Sequence, residues 1–350
     1  MITIPYRIRR ALRKTAVTLA LLALLSVAAL TAWMLWLSRF VIYTDEGAIL
    51  DFQQPFNPSQ GEVAPPPAAT QSVPISYGNP EDLPDNSSDK LTQINGCCVT
   101  AEMLTENLPA VQNALTALPA GTAVSLELKN LRGEFYYTTD LGRTPAQADT
   151  DAITDLIAQL HQNGCYLIAR IPAFRDYWYF LDDEGGRVPY GLPKAGGDGS
   201  LWQDTSVSGY SHYWFNPASA GTQNFLVQIA TELRSMGIDE VVFTDFRFPD
   251  TEKIKFDGDK IQTLNDAAKT LVQACATDSF AVSFESTAIT LPEGRCRLYA
   301  NGVAAAEIPA FLSSLNLTEP ASQMVFVTDS TDTRFDRYGI LRPLELSRNQ

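Results

Sequence analysis

The hydrophobic pattern of this chain changes texture twice. Thr15 to Ser38 is an uncharged run rich in Leu and Ala, with Trp33 and Trp36 near its far end. Residues 52–93 are dense in Pro, Gln, Ser, Asn and Asp and sustain no apolar period, which predicts a linker or stalk. From Ile94 onward, short apolar runs of strand length alternate with segments whose apolar residues recur every three or four positions.

The apolar runs Cys97–Met103, Ala123–Lys129, Tyr166–Ile171, Val241–Asp245, Phe280–Phe284, Cys296–Tyr299 and Met324–Val327 predict seven strands, and Ile340–Leu346 an eighth. Between them lie helical patterns. Leu108–Leu118 is a short one. Asp149 and Asp151 cap a second, whose Ile153, Leu156, Ile157 and Leu160 share one face before Gly164 ends it. Phe225, Leu226, Ile229, Leu233 and Met236 mark a third, stopped by Gly237; Ile261–Cys275 and Glu307–Leu315 complete the series. Repeated β-then-α units over some 250 residues predict an α/β fold with a parallel sheet closed as a (β/α)8 TIM-like barrel, irregular or shortened in its last two units. An open doubly wound sheet is the alternative, but no glycine-rich phosphate loop follows any strand.

The apolar run also bears on location. At about 1.5 Å per residue it spans roughly 36 Å as a helix, enough for a hydrocarbon core of about 30 Å. Arg7, Arg9, Arg10, Arg13 and Lys14 all precede it, so the positive-inside rule keeps the N-terminus in the cytoplasm and sends the rest of the chain outside. A cleaved signal peptide is the rival, but the run is long and no Ala-x-Ala site precedes its end. The expected organisation is a basic cytoplasmic segment (1–14), a transmembrane signal anchor (15–38), an extracytoplasmic linker (39–93) and a barrel domain (94–350).

The first forty residues hold six basic groups and no acidic one, which leaves the remainder with 20 basic against 40 acidic groups, a formal charge of −20. Such a surface repels nucleic acid and anionic lipid, so no nucleic-acid partner is expected. Five cysteines with no repeated short spacing fit neither a zinc pattern nor a disulfide framework. Buried free thiols are the default, with Cys275–Cys296 the first pairing to consider if a disulfide forms outside the cytoplasm. His161 and His212 are the only histidines, which argues against a His-based zinc site, and no metal or other cofactor is expected.

The most informative stretch is Asp239–Pro249 (DEVVFTDFRFP), an apolar run that breaks off in Asp245, Arg247 and Pro249. In a barrel, side chains at the C-terminal ends of different strands converge on one mouth. Collected there are Lys129 and Arg170 from strands two and three, Asp245 and Arg247 from strand four, Glu285 from strand five, Tyr299 from strand six and Asp329 from strand seven. Glycoside hydrolysis needs two carboxyl groups, one protonated toward the leaving oxygen and one ionised as nucleophile or base. Asp245 and Glu285 are the favoured pair and Asp329 a third candidate. Neighbouring Arg and Lys would favour the ionised form of one, and burial beside aromatic rings the protonated form of the other. Lys129, Arg170, Arg247 and Tyr299 are candidate substrate-binding or tuning groups. The long segment 175–216 is rich in aromatic residues; Trp202 and Trp214 are its candidate sugar platforms, though most of these rings are expected to pack as the loop's own small core.

Three blocks, Tyr166 to Asp176 (YLIARIPAFRD), Trp214 to Ser219 (WFNPAS) and Met236 to Pro249 (MGIDEVVFTDFRFP), resemble a bacterial family of glycoside hydrolase-like domains. The resemblance runs over about residues 95–330, and Lys129 is similar to that family's strand-two lysine. It implies an extracytoplasmic TIM barrel with polysaccharide-cleaving activity. The chain departs from the family's Phe-Asp-Tyr-x-Arg-Phe-Pro in reading Phe243-Thr-Asp-Phe-Arg-Phe-Pro, with the Asp one position late. Side chains alternate faces along a strand, so Asp245 reaches the mouth only if a bulge or the strand's end compensates. The family's strand-six Met-x-Tyr-Pro-Ser-His-Tyr is also replaced, by Leu298-Tyr-Ala-Asn-Gly302.

The resulting expectation is a membrane-anchored, outward-facing glycoside hydrolase acting on a polysaccharide or oligosaccharide through paired carboxylates. Its alternative is a barrel that has lost the chemistry and binds glycan or organises the envelope.

Overall fold

The computed structural model describes residues 41–44, 47–50, 91–182, 186–197, 199–206, 211–315 and 317–346. The predicted anchor lies outside them, and no helix among the described residues is long and apolar enough to cross a membrane. Strands β1 (Val41–Thr44) and β2 (Gly47–Leu50) pair antiparallel as a separate hairpin.

The second unit is a closed barrel of eight parallel strands. In chain order they are β3 (Asn95–Val99), β4 (Ala123–Glu127), β5 (Tyr166–Pro172), β9 (Glu240–Thr244), β10 (Ala281–Glu285), β11 (Leu298–Asn301), β12 (Met324–Val327) and β13 (Gly339–Pro343), and β13 pairs back onto β3. The remaining three, β6 (Arg175–Asp176), β7 (Gln203–Asp204) and β8 (His212–Trp214), form a small antiparallel sheet inside the long loop after β5, in the order β6-β8-β7.

Helices Thr150–Gln162, Ala220–Ser235 and Lys260–Cys275 follow β4, β5 and β9, each turning an apolar stripe to the barrel. Asp149 caps the first of them by accepting from the Ala152 amide, and Asp259 caps the last by accepting from Ile261 and Gln262. Beyond β10 the helices shrink. No helix joins β10 to β11, those between β11 and β12 are Ile308–Ser313 and Pro320–Gln323, and β12 reaches β13 through a single 3-10 turn, Phe335–Arg337. The expected irregularity therefore begins two units earlier than the pattern suggested, with the fifth strand.

The first strand is shorter than expected. It stops at Val99, and Ala101–Glu106 is a helix. The Thr100 hydroxyl accepts from the Met103 amide and the Ala101 amide donates to Glu127 Oε2, so the first orphan N–H groups of a helix find partners where the apolar run continues.

All five cysteines are free thiols, which corrects the Cys275–Cys296 pairing. Both are buried, and the Cys296 thiol donates to the Pro292 carbonyl.

Two buried clusters show how the barrel is filled. The larger lies between strands and helices. The smaller, which includes Ala123, Ile168, Val242, Tyr299, Val325 and Leu341, draws its members from six strands and fills the barrel's interior. Beneath it Glu240, fully buried at the start of β9, receives hydrogen bonds from Arg297, Tyr166, Ser283 and Tyr299.

Candidate functional site

Strand alternation builds the mouth directly from that interior cluster. Along the same faces Ala123 leads through Ser125 to Glu127, four residues on, and at two residues on Ile168 leads to Arg170, Val242 to Thr244, Tyr299 to Asn301, Val325 to Val327 and Leu341 to Pro343. All six end points line two adjoining cavities at the C-terminal end of the barrel. One lobe, about 280 Å³, also holds Lys129, Asn130, Asp245 and Glu285. The other, about 360 Å³, also holds Cys98, Thr100, Gly302, Thr328 and Asp329. Glu127 and Arg170 belong to both lobes and stand opposite each other in the β4–β5 register.

Asp245 reaches the mouth by leaving the strand. Thr244 is the last residue of β9 and occupies the inner face, so regular alternation would turn Asp245 outward. Its φ is instead 50°, the one left-handed non-glycine residue among the described residues. Asp tolerates that region better than most side chains, at a cost of the order of 1–3 kcal/mol. The turn brings Oδ1 to 3.2 Å from Arg175 Nη2 and 3.7 Å from Arg247 Nη2. The one-residue displacement is thus absorbed at the strand's end.

The small loop sheet holds those guanidinium groups. Arg175 and Trp214 are cross-strand partners, and the guanidinium carbons of Arg175 and Arg247 lie 4.5 and 5.2 Å from the centre of the Trp214 ring. The indole N–H donates to Asp204 Oδ2 at 2.8 Å, and His212 Nε2 lies 3.3 Å from the same oxygen. Burial alone would raise the Asp204 carboxyl; the hydrogen bonds from Ser206 and Trp214, with His212, outweigh it, so its pKa lies below the usual carboxylate value. Burial pushes the His212 imidazole below its ordinary value.

Across the same lobe Arg170 Nη2 donates to Glu285 Oε2 at 2.5 Å. Arg170 is only 8% exposed, and its buried Nη1 has no acceptor among the described residues. A buried guanidinium N–H left in that state costs free energy unless water or a ligand supplies an acceptor.

Not every expected residue joins this group. Lys129 lines the first lobe, but its ammonium is buried and committed to Asp176 Oδ2 at 2.8 Å and to the Arg175 carbonyl. Burial raises the Asp176 carboxyl, and the Lys129 charge acts against it. Asp329 is exposed and lies in the second lobe, apart from Asp245 and Glu285. The Tyr299 hydroxyl points down to Glu240 Oε1, not up to the mouth, and burial puts its pKa well above the ordinary value. Trp214 is 1% exposed, a platform for arginines with no open face, while Trp202 packs against the main core. Sequence reasoning missed Glu127, Arg175 and the Asp204–His212 pair. Glu127 carried a usable signal: it ends the apolar run Ala-Val-Ser-Leu, as Asp245 ends its own.

Residues 105–283, just over half of the chain, match the model of the family described as "Putative glycosyl hydrolase domain". The chain belongs to this family. The match is narrower than the 95–330 that the resemblance suggested; Glu127, Arg170 and Asp245 lie inside it and Glu285 two residues beyond its end. No curated protein matches the chain. Solved structures similar to it include a hypothetical protein of Ruminiclostridium thermocellum, 17% identical with a TM-score of 0.45, over 56% of this chain and 100% of that one. A Paenibacillus cycloisomaltooligosaccharide glucanotransferase is 13% identical with a TM-score of 0.47, over 67% of this chain and 38% of that one. An alpha-galactosidase of Lactobacillus brevis is 13% identical with a TM-score of 0.47, over 76% and 39%.

In this member of the glycosyl hydrolase domain family the aromatic loop is chiefly self-packed. Tyr177 stacks on Tyr213 at 5.9 Å, Phe180 meets Phe215 at 4.8 Å, and Tyr179 meets Phe225 at 4.3 Å. No aromatic residue lines either lobe of the mouth among the described residues.

Proposed function

We propose that this chain hydrolyses glycosidic bonds of a polysaccharide or oligosaccharide at the C-terminal mouth of its barrel. The observation that carries the reading is the meeting of Asp245 and Glu285, from the ends of β9 and β10, in one cavity whose wall also includes Arg170. Asp245 is the nucleophile, or the base that activates water, and its two guanidinium neighbours fix its position. Glu285 fixes Arg170 in the cavity wall, where the guanidinium group serves as a polar partner for the sugar. Family membership supports the substrate class. The proposed setting is extracytoplasmic, with the basic segment and apolar run of residues 1–38 as a membrane anchor.

A second reading keeps the glycan and drops the chemistry. It is favoured by the ion pairing of both carboxylates: protonating either would leave an arginine without its counter-charge.

The two readings separate on incubation of the purified full chain, in detergent, with a panel of bacterial and plant polysaccharides. Reducing ends released and polysaccharide bound are measured on the same samples. Release supports the hydrolase; binding with no release supports the sugar-recognising barrel; neither removes the glycan from both.

A further inference from the structure

The mouth contains a third carboxylate that the reading above leaves without a task, and its position is specific. Glu127 ends β4 on the inner face, half-buried, at the seam shared by both lobes. Asp245 and Glu285 line one lobe only, and Asp329 lines the other. Asp245 stands against two guanidinium groups and Glu285 against one, whereas Glu127 has no ion-pair partner among the described residues. Its one hydrogen bond among them is accepted at Oε2 from the Ala101 amide at 3.1 Å, which fixes the carboxyl group and leaves Oε1 without a protein donor.

Hydrolysis of a glycoside requires a carboxyl group that arrives protonated, beside the bond to be broken, as well as one that does not. A carboxylate held in an ion pair is poorly suited to carry that proton, because protonation strands the buried or half-buried cation. Among the described residues Glu127 is the one carboxyl group that is fixed, without an ion-pair partner and present in both lobes. The lobes, at about 280 and 360 Å³, are each near the lower end of the roughly 300–1,000 Å³ of ordinary ligand sites. Two adjoining sugar units, one in each, would place the linkage between them at the seam.

We propose that Glu127 is the proton donor of this site. The inference rests on the hydrolase reading and adds the acid which that reading lacks. The proton passes from the Glu127 carboxyl group to the glycosidic oxygen as the bond to the anomeric carbon breaks and its electron pair moves onto that oxygen. The departing sugar leaves as an alcohol. Water completes the anomeric carbon and its proton is taken up by a carboxylate, which releases it to solvent as Glu127 regains one, so one water is consumed for each bond cut and no net proton. Arg170, opposite Glu127 in the register, lines both lobes and sets its guanidinium charge beside the sugars that meet there.

The test compares the wild-type full chain with Glu127→Gln, Glu285→Gln and Asp245→Asn on two substrates: the glycan the wild type cleaves, and a dinitrophenyl glycoside of the same sugar, whose leaving group departs without protonation. Glu127→Gln is expected to lose about a hundredfold or more in kcat/KM on the glycan. On the dinitrophenyl glycoside it should stay within severalfold of wild type, and its pH profile on the glycan should lose the alkaline limb. Asp245→Asn is expected to fall on both substrates. If Glu127→Gln does not fold, Glu127→Asp, which keeps the acid and shortens its reach, carries the same comparison with a smaller loss. Equal losses on both substrates would make Glu127 a structural or positioning residue and overturn the proposal. So would wild-type rates on the glycan, or the leaving-group dependence appearing in Glu285→Gln instead; in each of these cases the hydrolase reading survives. A wild type that cleaves nothing overturns both.

Discussion

Arg175 lies with Nη2 3.2 Å from Asp245 Oδ1 and with its guanidinium carbon 4.5 Å from the centre of the Trp214 ring. One side chain therefore couples the strained end of β9 to the sheet built inside the β5 loop. The aromatic wealth of that loop serves this coupling: Trp214 is covered on the sheet side and presents its face to arginines.

Arg175→Lys tests the coupling. Lysine keeps the charge but loses the planar contact with the indole and the forked donor geometry. Hydrolytic activity is expected to drop severalfold or more while the chain stays folded, whereas Arg247→Lys, at a side chain 45% exposed, changes it little. Equal effects of the two substitutions in a rate assay would show that Arg175 has no special hold on Asp245. Trp214→Ala should act more broadly, with a stability loss of about 3–5 kcal/mol as expected for a fully buried Trp.

The same loop sheet should be acid-sensitive. His212 is fully buried and its pKa is depressed by burial, so the unfolded chain takes up that proton first. The stability contributed is complete above the ordinary histidine value of about 6.5 and is lost as pH falls through the depressed native value. Asp204, also depressed, adds a loss of the same sign at lower pH, below the ordinary carboxylate range. Unfolding midpoints measured from pH 8 to pH 5 should fall for wild type and fall less steeply for His212→Gln. Parallel curves would remove His212 from the account.

At the opposite end of the barrel Arg297 and Glu240 form a buried pair, each at 1% side-chain exposure or less. Arg297→Ala strands Glu240 among tyrosine and serine hydroxyls and is expected to cost about 3–5 kcal/mol in denaturant unfolding. Removing both charges together, as Arg297→Met with Glu240→Leu, should cost less than Arg297→Ala alone. If it costs more, the pair is a net source of stability.

Burial pushes the Cys97 and Cys296 thiols up to about 12, and the other three cysteines are shifted in the same direction by the same cause. Native protein should react slowly with a thiol reagent at neutral pH. Unfolded without reductant, it should yield five thiols; three would mean that a disulfide had formed.

Much of the barrel was legible in the sequence because strands buried on both faces are written as continuous apolar runs: Met324–Val327 is a strand at the bounds its pattern predicts, and Lys260–Cys275 a helix within one residue. The first strand was misread where local capping at Thr100 took over from the apolar pattern through Met103. The site was legible in part. A charge that breaks an apolar run marks a mouth position, which found Asp245 and Glu285. Lys129 is charged and close to a strand end too, but a residue 47 positions away, Asp176, draws it down. Tyr299 shows the other limit. Four residues of strand do not say which way an interior side chain leans, and the buried Glu240 that claims its hydroxyl starts a different strand. No local pattern encodes such distant partners, nor the left-handed turn that returns Asp245 to the mouth.

The most direct measurement is the rate at which the full chain and its Asp245→Asn variant release reducing ends from one glycan under one condition, with unfolding curves as the control for folding. A fall of about a hundredfold or more in the variant, at unchanged stability, is the result this account predicts. Equal rates would contradict it, and would place the chemistry somewhere other than the end of β9.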